Sequence, residues 1–330
     1  MNRMRLAVRI ALVAGLALLI GLIAHEGSAI LTPLMRAGWV LLWLVPLHTL
    51  PIVLDSRGWQ ALLEERVAPG TLFWIASVRE AVNRLLPVAN IGGELIGIRL
   101  LVAQGTEGVV AAASVTTETL LTLFSQYLFV ALGISCLLRV THTVHSVSEA
   151  LIGLGASLPV ILLAAVLLRN GSVFERLEKL LVRMLGEETL SFLNGKSASL
   201  DAAIRALINQ PARLLGTLGW QFAGLLSSVI ETWLALRWLG HPVGYGAALA
   251  IESLTQVARN FIFLVPAGLG VQEATLIGVG HLLGIDGDLA LALSLAKRMR
   301  EILFGAPALL SWYWIEGRKE LQHVRGSSRP

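Results

Sequence analysis

Fourteen ionisable side chains stand inside stretches of the chain that are otherwise strongly apolar. In a bilayer, each such group costs about 2.5–3.5 kcal/mol on insertion scales when it lies at mid-depth. Because both charge signs are present, these groups can pair with one another or line a wet cavity. The chemistry open to them is ion pairing, binding of a polar headgroup, or proton transfer. They are Arg79, Glu80, Arg84, Glu94, Arg99, Glu118, Glu231, Glu252, Arg259, Glu273, Lys297, Arg298, Arg300 and Glu301.

Two proline–glycine segments repeat one spacing within this set. Residues 87–94 read Pro-Val-Ala-Asn-Ile-Gly-Gly-Glu, and residues 266–273 read Pro-Ala-Gly-Leu-Gly-Val-Gln-Glu, so each glutamate follows its proline by seven positions. The copies are 179 residues apart, although the flanking Asn-Arg pair at 83–84 and Arg-Asn pair at 259–260 do not align at that separation. Inverted repeats with interrupted helices mark the substrate site of many transporters. We predict such a repeat, with both glutamates facing a common interior.

The elements that must hold these residues are transmembrane helices. Hydrophobic residues make up 55% of the 330 positions and charged residues only 15%, with a mean hydropathy of +0.72. Soluble domains carry about 25% charged residues, so the composition indicates a membrane protein. Two regions, 70–105 and 243–284, are apolar but interrupted by proline and glycine, and we predict a re-entrant helix pair in each. Continuous spans are predicted near 7–24, 38–54, 110–138, 150–168, 213–239 and 288–315.

The sequence thus predicts an all-α, polytopic transmembrane helical bundle with two broken or re-entrant hairpins in an inverted repeat. Residues 1–330 form one integral membrane domain, and a linker at about 169–213 connects its halves. Residues 173–185 of the linker have the spacing of an amphipathic helix in the headgroup plane, either a plain connector or a helix with a regulatory role. Tryptophans near the span ends are typical of interfacial anchors. They are Trp39, Trp43, Trp312 and Trp314.

Lysine and arginine bias predicts the orientation. Basic residues concentrate in the N-terminal arm, in the linker 169–213 and in the tail beyond residue 316. Basic loops stay in the cytoplasm, so we expect both termini and the linker there, in a cell inner membrane. This orientation holds whether each broken region re-enters or crosses twice.

Several other chemistries are not supported by the sequence. The run Gly195-Lys196-Ser197 resembles a phosphate-binding loop, but position 190, where its first glycine belongs, is Leu190. His142, His145 and Glu149 lack the further ligands of a metal site. The single cysteine, Cys136, permits no intrachain disulfide. We therefore expect no metal and no cofactor, and the charge distribution gives no indication of nucleic-acid binding.

The two proline–glycine segments resemble a known family. With Gln256-Val-Ala-Arg259-Asn260 leading into the second copy, they are similar to the transmembrane (flippase) domain family of lysylphosphatidylglycerol synthetases. The form Pro-Val-Ala-Asn-Ile-Gly-Gly-Glu is most similar to the hopanoid-biosynthesis-associated membrane proteins of that family. The resemblance extends over nearly the whole chain. It implies an inner-membrane protein that moves or handles a lipid, with membrane lipids and lipid-biosynthesis enzymes as partners. Only fifteen residues follow position 315, so the synthetases' soluble aminoacyl-transfer domain is not expected here.

These observations lead to three functional hypotheses. The first is a non-enzymatic lipid translocase or lipid-transport protein for a phospholipid or hopanoid. The second is an intramembrane enzyme using Glu94 or Glu273 as acid or base, and the third is a scaffold for lipid-modifying enzymes. A fourth possibility, that the charges serve only as structural salt bridges, explains poorly why they cluster beside the two breaks. The candidate substrate pathway comprises Arg84, Pro87, Gly93, Glu94, Arg99, Glu118, Glu252, Arg259, Asn260, Pro266, Gly268, Gly270, Glu273 and Arg298.

Overall fold

The computed structural model describes residues 31–64, 66–86, 92–141, 196–261 and 270–327. The described residues form nine α-helices and no strand, which confirms the all-α helical bundle. A helical stretch from residue 31, with a 3₁₀ turn at Gly38–Trp43, leads into the first of them. The helices are α1 (Leu44–Leu62), α2 (Pro69–Leu85), α3 (Gly92–Ala103), α4 (Gly108–Thr141), α5 (Lys196–Ile208), α6 (Pro211–Trp238), α7 (Tyr245–Phe261), α8 (Val271–Leu282) and α9 (Gly287–Ser327).

Helix boundaries follow local sequence signals. Pro69 and Pro211 occupy the first turns of α2 and α6, where the missing amide hydrogen costs nothing. Gly240 takes a φ of +89° directly after α6, a left-handed conformation that ends a helix and favours glycine. The His-Pro sequence that follows lies in the turn before α7.

Four continuous spans of the sequence analysis correspond to α1, α4, α6 and α9. The described residues contain two helices that are long and apolar enough to cross a membrane by composition, Leu31–Leu62 and Gly108–Thr141. The expected spans 7–24 and 150–168 and the amphipathic stretch 173–185 lie outside the described residues. The part of the 169–213 linker that is described forms α5, which packs against α4.

Each broken region forms a pair of helices. The first pair, α2 and α3, has 17 and 12 residues, and the second pair, α7 and α8, has the same two lengths. Positions in α2 and α7 correspond at a separation of 176 residues, from Pro69 to Tyr245, whereas those in α3 and α8 correspond at 179, from Gly92 to Val271. The segment between the second pair is therefore three residues longer. This difference explains why the Asn-Arg and Arg-Asn pairs at 83–84 and 259–260 fail to align in the sequence but stand at equivalent helical positions.

The contacts between helices also correspond between the two halves of the chain. The contact of α2 with α9 has its counterpart in that of α7 with α4, and the contact of α3 with α4 has its counterpart in that of α8 with α9. Helices α1 and α6, which begin the two halves, pack against each other. The two halves thus have matching topology. Their inverted orientation across the bilayer stays a prediction.

Glycines allow two pairs of helices from different halves of the chain, α4 with α7 and α9 with α2, to approach closely. A Cβ atom on Gly133 of α4 would lie 2.8 Å from the Cβ of Ser253 on α7. A Cβ atom on Gly305 of α9 would lie 2.7 Å from Cδ1 of Leu85 on α2. Small residues at such points let helix backbones pack tightly within a membrane, where van der Waals contact drives association.

Gly133→Ala is expected to lower the free energy of unfolding by about 1–3 kcal/mol, because the added methyl group forces α4 away from α7. Gly219→Ala on α6 is the matched control, since nothing lies within 4 Å of a Cβ there. The control should be neutral or slightly stabilising, because alanine favours a helix more than glycine does. Unfolding in mixed micelles measures both variants. Equal stability of the two would contradict the close α4–α7 contact.

The 3₁₀ turn before α1 and the end of α9 both carry exposed tryptophans. Trp39 is 85% exposed and Trp43 64%, and near the end of α9 Trp314 is 60% exposed. Trp312 differs, since it packs against the core formed around Trp59 and Leu72. Indole side chains at span ends suit the membrane interface, which is the role predicted from the sequence for all four tryptophans, although Trp312 packs against the core.

An ion-pair group ties the α1–α2 turn to the start of α6. Glu64 follows α1, and its carboxylate contacts Arg66 and Arg213, each at 2.7 Å. Hydrogen bonds from these two guanidinium groups lower the pKa of Glu64 from its ordinary value. Its small contribution to stability is therefore present above the carboxyl's unfolded pKa and is lost as the pH falls through the lowered one. The α1–α2 turn and the start of α6 thus lie at the same end of the bundle.

Candidate functional site

A cavity of about 560 Å³ lies between the helices. Eight of the nine described helices contribute to its wall, and only α5 does not. Its volume lies within the range of ligand pockets, about 300–1,000 Å³, but its wall is far more charged than such pockets usually are. The charged wall residues are Asp55, Glu80, Glu94, Glu118, Glu231, Glu252, Arg79, Arg84, Arg259, Lys297 and Arg300, together with His48.

Arg79 of α2 is the centre of the first charged cluster. Its guanidinium forms ion pairs with Glu94 of α3 and with Glu118 of α4, the latter at 2.8 Å. Asp55 of α1 lines the same cavity, close enough to interact electrostatically with this guanidinium. The guanidinium also stacks over the Trp59 ring, 4.5 Å from the ring centroid. One arginine thus faces three carboxyl groups from three helices.

Glycines on α3 make room for Arg79. A Cβ on Gly97 would lie 2.6 Å from Cδ of Arg79, and one on Gly93 would lie 2.7 Å from Cγ of Asn83. The amide of Gly93 donates a hydrogen bond of 2.9 Å to the side-chain oxygen of Asn83. Gly93 and Gly97 therefore allow α3 to lie against α2 and the arginine side chain that Glu94 pairs with.

His48 of α1 is the centre of the second cluster. Its Nε2 lies 3.0 Å from Oε1 of Glu80, and its Nδ1 lies 3.1 Å from Oε2 of Glu231. Arg300 of α9 packs against the imidazole ring and places its Nε 2.9 Å from Oε1 of Glu231. Phe304 meets the ring edge-on, with 5.1 Å between ring centroids. The cluster connects α1, α2, α6 and α9.

Two further ion pairs connect α7 to α9. Lys297 of α9 pairs with Glu252 of α7, which also accepts hydrogen bonds from Thr232 and, at 3.0 Å, from Gln256. Arg259 of α7 pairs with Glu301 at 2.7 Å.

Amide side chains complete the wall near Arg259. Gln272 of α8 accepts a hydrogen bond from the arginine, and Asn260 donates to Gln126 of α4 at 2.8 Å. Buried ions are tolerated when paired and hydrogen-bonded in this way.

Glu273 of the second repeat lies behind this wall. It is 2% exposed and receives hydrogen bonds from Arg298 Nε at 2.9 Å and from the Ser294 hydroxyl at 2.8 Å. The Gly270 amide donates to its other oxygen at 2.8 Å. Glu94 and Glu273 are therefore used differently, since Glu94 lines the cavity and Glu273 holds α8 to α9.

The structure brings six of the expected pathway residues to the cavity wall, namely Arg84, Glu94, Glu118, Glu252, Arg259 and Asn260. Five others stand outside it, namely Gly93 beneath Asn83, Glu273 with Gly270 and Arg298 around it, and Arg99 on the exposed face of α3. Pro87, Pro266 and Gly268 lie outside the described residues, as do His142, His145 and Glu149. Within the described part of the chain, no group of three or more histidine, cysteine, aspartate or glutamate side chains could hold a metal ion.

Sequence reasoning missed His48 and Asp55. Both line the cavity from α1, seven positions apart, so they share one helical face. The signal was present, because these are polar residues in or next to a span predicted for 38–54. Gln221, a polar residue within the span predicted for 213–239, was missed as well. Its side-chain amide donates a hydrogen bond of 3.3 Å to the backbone carbonyl of Glu118.

Arg84 differs from the other cations of the cavity wall. Arg79, Arg259 and Arg300 each have a carboxylate oxygen within 2.9 Å, and Lys297 pairs with Glu252. The carboxylate nearest to Arg84 among the described residues is that of Glu80, at 3.9 Å from Nε. Its guanidinium is the least committed cation in the wall.

The fold and the cavity together define a helical membrane protein with a charged interior chamber. A family model described as the lysylphosphatidylglycerol synthase TM region matches residues 6–308. The chain belongs to this family, which places it among membrane proteins with a lipid-related role. No curated protein and no solved structure matches the chain at a significant level.

Proposed function

We propose that the cavity binds the polar headgroup of a membrane lipid and that the protein moves this lipid between the two leaflets. The observation that carries the proposal is a charged chamber whose wall also reaches the outer surface of a spanning helix. Leu123 of α4 lines the cavity and is 46% exposed. A headgroup can enter at such a lip while its apolar chains stay in the bilayer.

The wall offers specific partners for a headgroup. Arg84 can donate two parallel hydrogen bonds to a phosphate, the geometry that favours arginine at such sites. Asn83 and Asn260 also line the wall and can bind hydroxyl groups. We propose a phospholipid or a hopanoid with a polar head as the lipid, with Arg84 engaged directly in the first case and the amides dominant in the second.

Reconstitution into vesicles tests this function. Vesicles carry headgroup-labelled phosphatidylglycerol, phosphatidylethanolamine or a hopanoid polyol, each bearing a fluorophore that dithionite bleaches only in the outer leaflet. The proposal expects protein-dependent loss of the protected inner-leaflet fluorescence for at least one lipid. A bleaching curve identical to that of protein-free vesicles for all three would contradict it.

The two alternatives give different results. An intramembrane enzyme would convert lipid in detergent micelles, where leaflets do not exist, and Glu94→Gln would abolish product formation. A scaffold would keep its effect on lipid composition in cells after neutralisation of the wall charges. We propose a non-enzymatic carrier, because the wall side chains pair with one another and leave Arg84 as the least committed charge.

We further propose that the protein lies in the inner membrane of the cell. In this membrane, α5 and both termini face the cytoplasm. Ser197 is 7% exposed and would react poorly, but Ser199 on the same helix is exposed. In a Cys136→Ala background, Ser199→Cys should react with a membrane-impermeant maleimide in inverted vesicles and not in intact cells. Efficient labelling in intact cells would contradict the orientation.

A further inference from the structure

We infer that a second, small cavity between α2 and α9 binds one ordered water molecule, which connects Arg84 of α2 to Glu301 of α9 by hydrogen bonds. The cavity has a volume of about 10 Å³. A buried water needs about 10–15 Å³ of such space, so the cavity suits a single molecule. Its lining residues are His48, Glu80, Ala81, Arg84, Arg300, Glu301, Phe304 and Gly305.

Small residues create this space where the two helices pack closely. Ala81 of α2 and Gly305 of α9 both line it, and a Cβ on Gly305 would lie 3.2 Å from the Cβ of Ala81. Neither residue has a side chain that reaches further into the cavity. Ala81 is 2% exposed and Glu301 is 6% exposed, so this part of the wall is closed to the lipid.

The polarity of the lining favours water as the occupant. Cavities that stay dry in proteins are apolar, whereas four charged side chains and a histidine border this one. The guanidinium of Arg84 supplies N–H donors. The carboxylates of Glu80 and Glu301 supply acceptors. A water molecule here can accept one hydrogen bond from Arg84 and donate to both carboxylates, and about three hydrogen bonds are typical of a buried water.

Two long contacts between opposite charges border the same cavity. Nε of Arg84 lies 3.9 Å from Oε1 of Glu80, one turn away on α2. Nη2 of Arg300 lies 4.0 Å from Oε1 of Glu301, its neighbour on α9. Direct hydrogen bonds between such groups are about 2.7–2.9 Å long. Polar groups separated by more than about 3.5 Å beside a space of this size are the arrangement that a bridging water spans.

The bridging water holds Arg84 against α9 without a direct ion pair. A water molecule is exchanged more readily than a paired carboxylate in a buried site, because its departure leaves no unpaired charge behind. Under the proposed function, the guanidinium therefore keeps its orientation in the wall and exchanges this water for the phosphate of a lipid.

A structure of the wild-type protein, at a resolution that shows other buried waters, tests the site directly. One density peak should lie in this cavity, within about 3.2 Å of a side-chain nitrogen of Arg84 and of a carboxylate oxygen of Glu301. A map without this peak would overturn the inference, and so would a direct contact between the two side chains that closes the cavity.

Two variants of nearly the same shape test the polarity of the site in solution. Ala81→Thr and Ala81→Val both fill the cavity and crowd it alike, and threonine and valine have similar helix propensities. The threonine hydroxyl can replace the hydrogen bonds of the displaced water, whereas the valine methyl leaves the charged groups without that partner. Ala81→Thr should therefore have the higher unfolding midpoint in mixed micelles. An Ala81→Val protein at least as stable as Ala81→Thr would contradict a water site.

Neither measurement involves lipid transport. A failed transport assay therefore leaves the water site supported, and a missing density peak leaves the transport proposal intact.

Discussion

Replacing Arg79 by methionine is expected to lower the free energy of unfolding by about 3–5 kcal/mol, the usual cost of removing one partner from a buried ion pair. Arg79 forms ion pairs with Glu94 and Glu118 and interacts electrostatically with Asp55, and methionine keeps the apolar contact with Trp59 while removing the charge. The three carboxyl groups can then lower their energy only by taking up protons. The loss should therefore be smaller at about pH 5 than at about pH 8.

Unfolding in mixed micelles at both pH values measures this effect. Arg66→Met is the control, because Arg66 is a surface arginine with a 64% exposed side chain, and its loss should change stability little. Adding Glu118→Gln to Arg79→Met should recover part of the stability, since it removes one of the stranded charges. An Arg79→Met protein as stable as the wild type would show that the cluster is not a buried ion-pair network.

Arg84→Met is expected to slow phospholipid exchange between leaflets by about 10-fold or more while leaving the fold intact. Hydrogen bonds to charged groups contribute about 1.5–3 kcal/mol, and about 1.4 kcal/mol corresponds to a factor of ten. Among the described residues, the nearest carboxylate to Arg84 is 3.9 Å away, so removal of Arg84 strands no tightly paired partner there. Arg79 and Arg84 thus separate stability from function within one helix.

The exchange rate in vesicles and the unfolding midpoint are measured on the same preparation. Arg237→Met is the matched control, because Arg237 lies on the exposed side of α6 over the Trp233 ring and outside the cavity. An Arg84→Met protein that exchanges labelled phosphatidylglycerol at the wild-type rate would exclude Arg84 as a phosphate ligand. A full effect on phosphatidylglycerol with none on a neutral hopanoid polyol would identify the phosphate as its partner.

Much of the fold could be predicted from hydropathy. Continuous spans such as 110–138 and 213–239 emerge as α4 and α6 with ends shifted by a few residues, because a membrane requires long apolar helices. The broken regions were recognisable from their proline and glycine residues. The register of the repeat was not recognisable. The segment between the paired helices is three residues longer in the second pair, so α2 and α7 correspond at a different separation from α3 and α8.

The site was predictable in kind but not in detail. An ionised side chain facing lipid is energetically costly, so charged residues such as Glu118 and Glu252 are expected to face the interior of the bundle. Both line the cavity. Which partner each charge meets depends on helix rotation and tilt, which the sequence does not reveal. Glu94 pairs with Arg79 of its own hairpin, whereas Glu273 pairs with Arg298 on the next helix. Asp55 was missed because it lies just past the end of a predicted span.

The most direct test of lipid passage through the cavity is to fill it. Thr119 of α4 lines the chamber, and Thr119→Trp places an indole in it, whereas Leu128→Trp places the same side chain on a 39% exposed position of the same helix, outside the cavity. Both proteins are reconstituted at equal density, and leaflet exchange of the transported lipid is followed by dithionite bleaching. We expect Thr119→Trp to reduce exchange to the protein-free rate and Leu128→Trp to retain the wild-type rate. Wild-type exchange by a folded Thr119→Trp protein would contradict a route through this cavity.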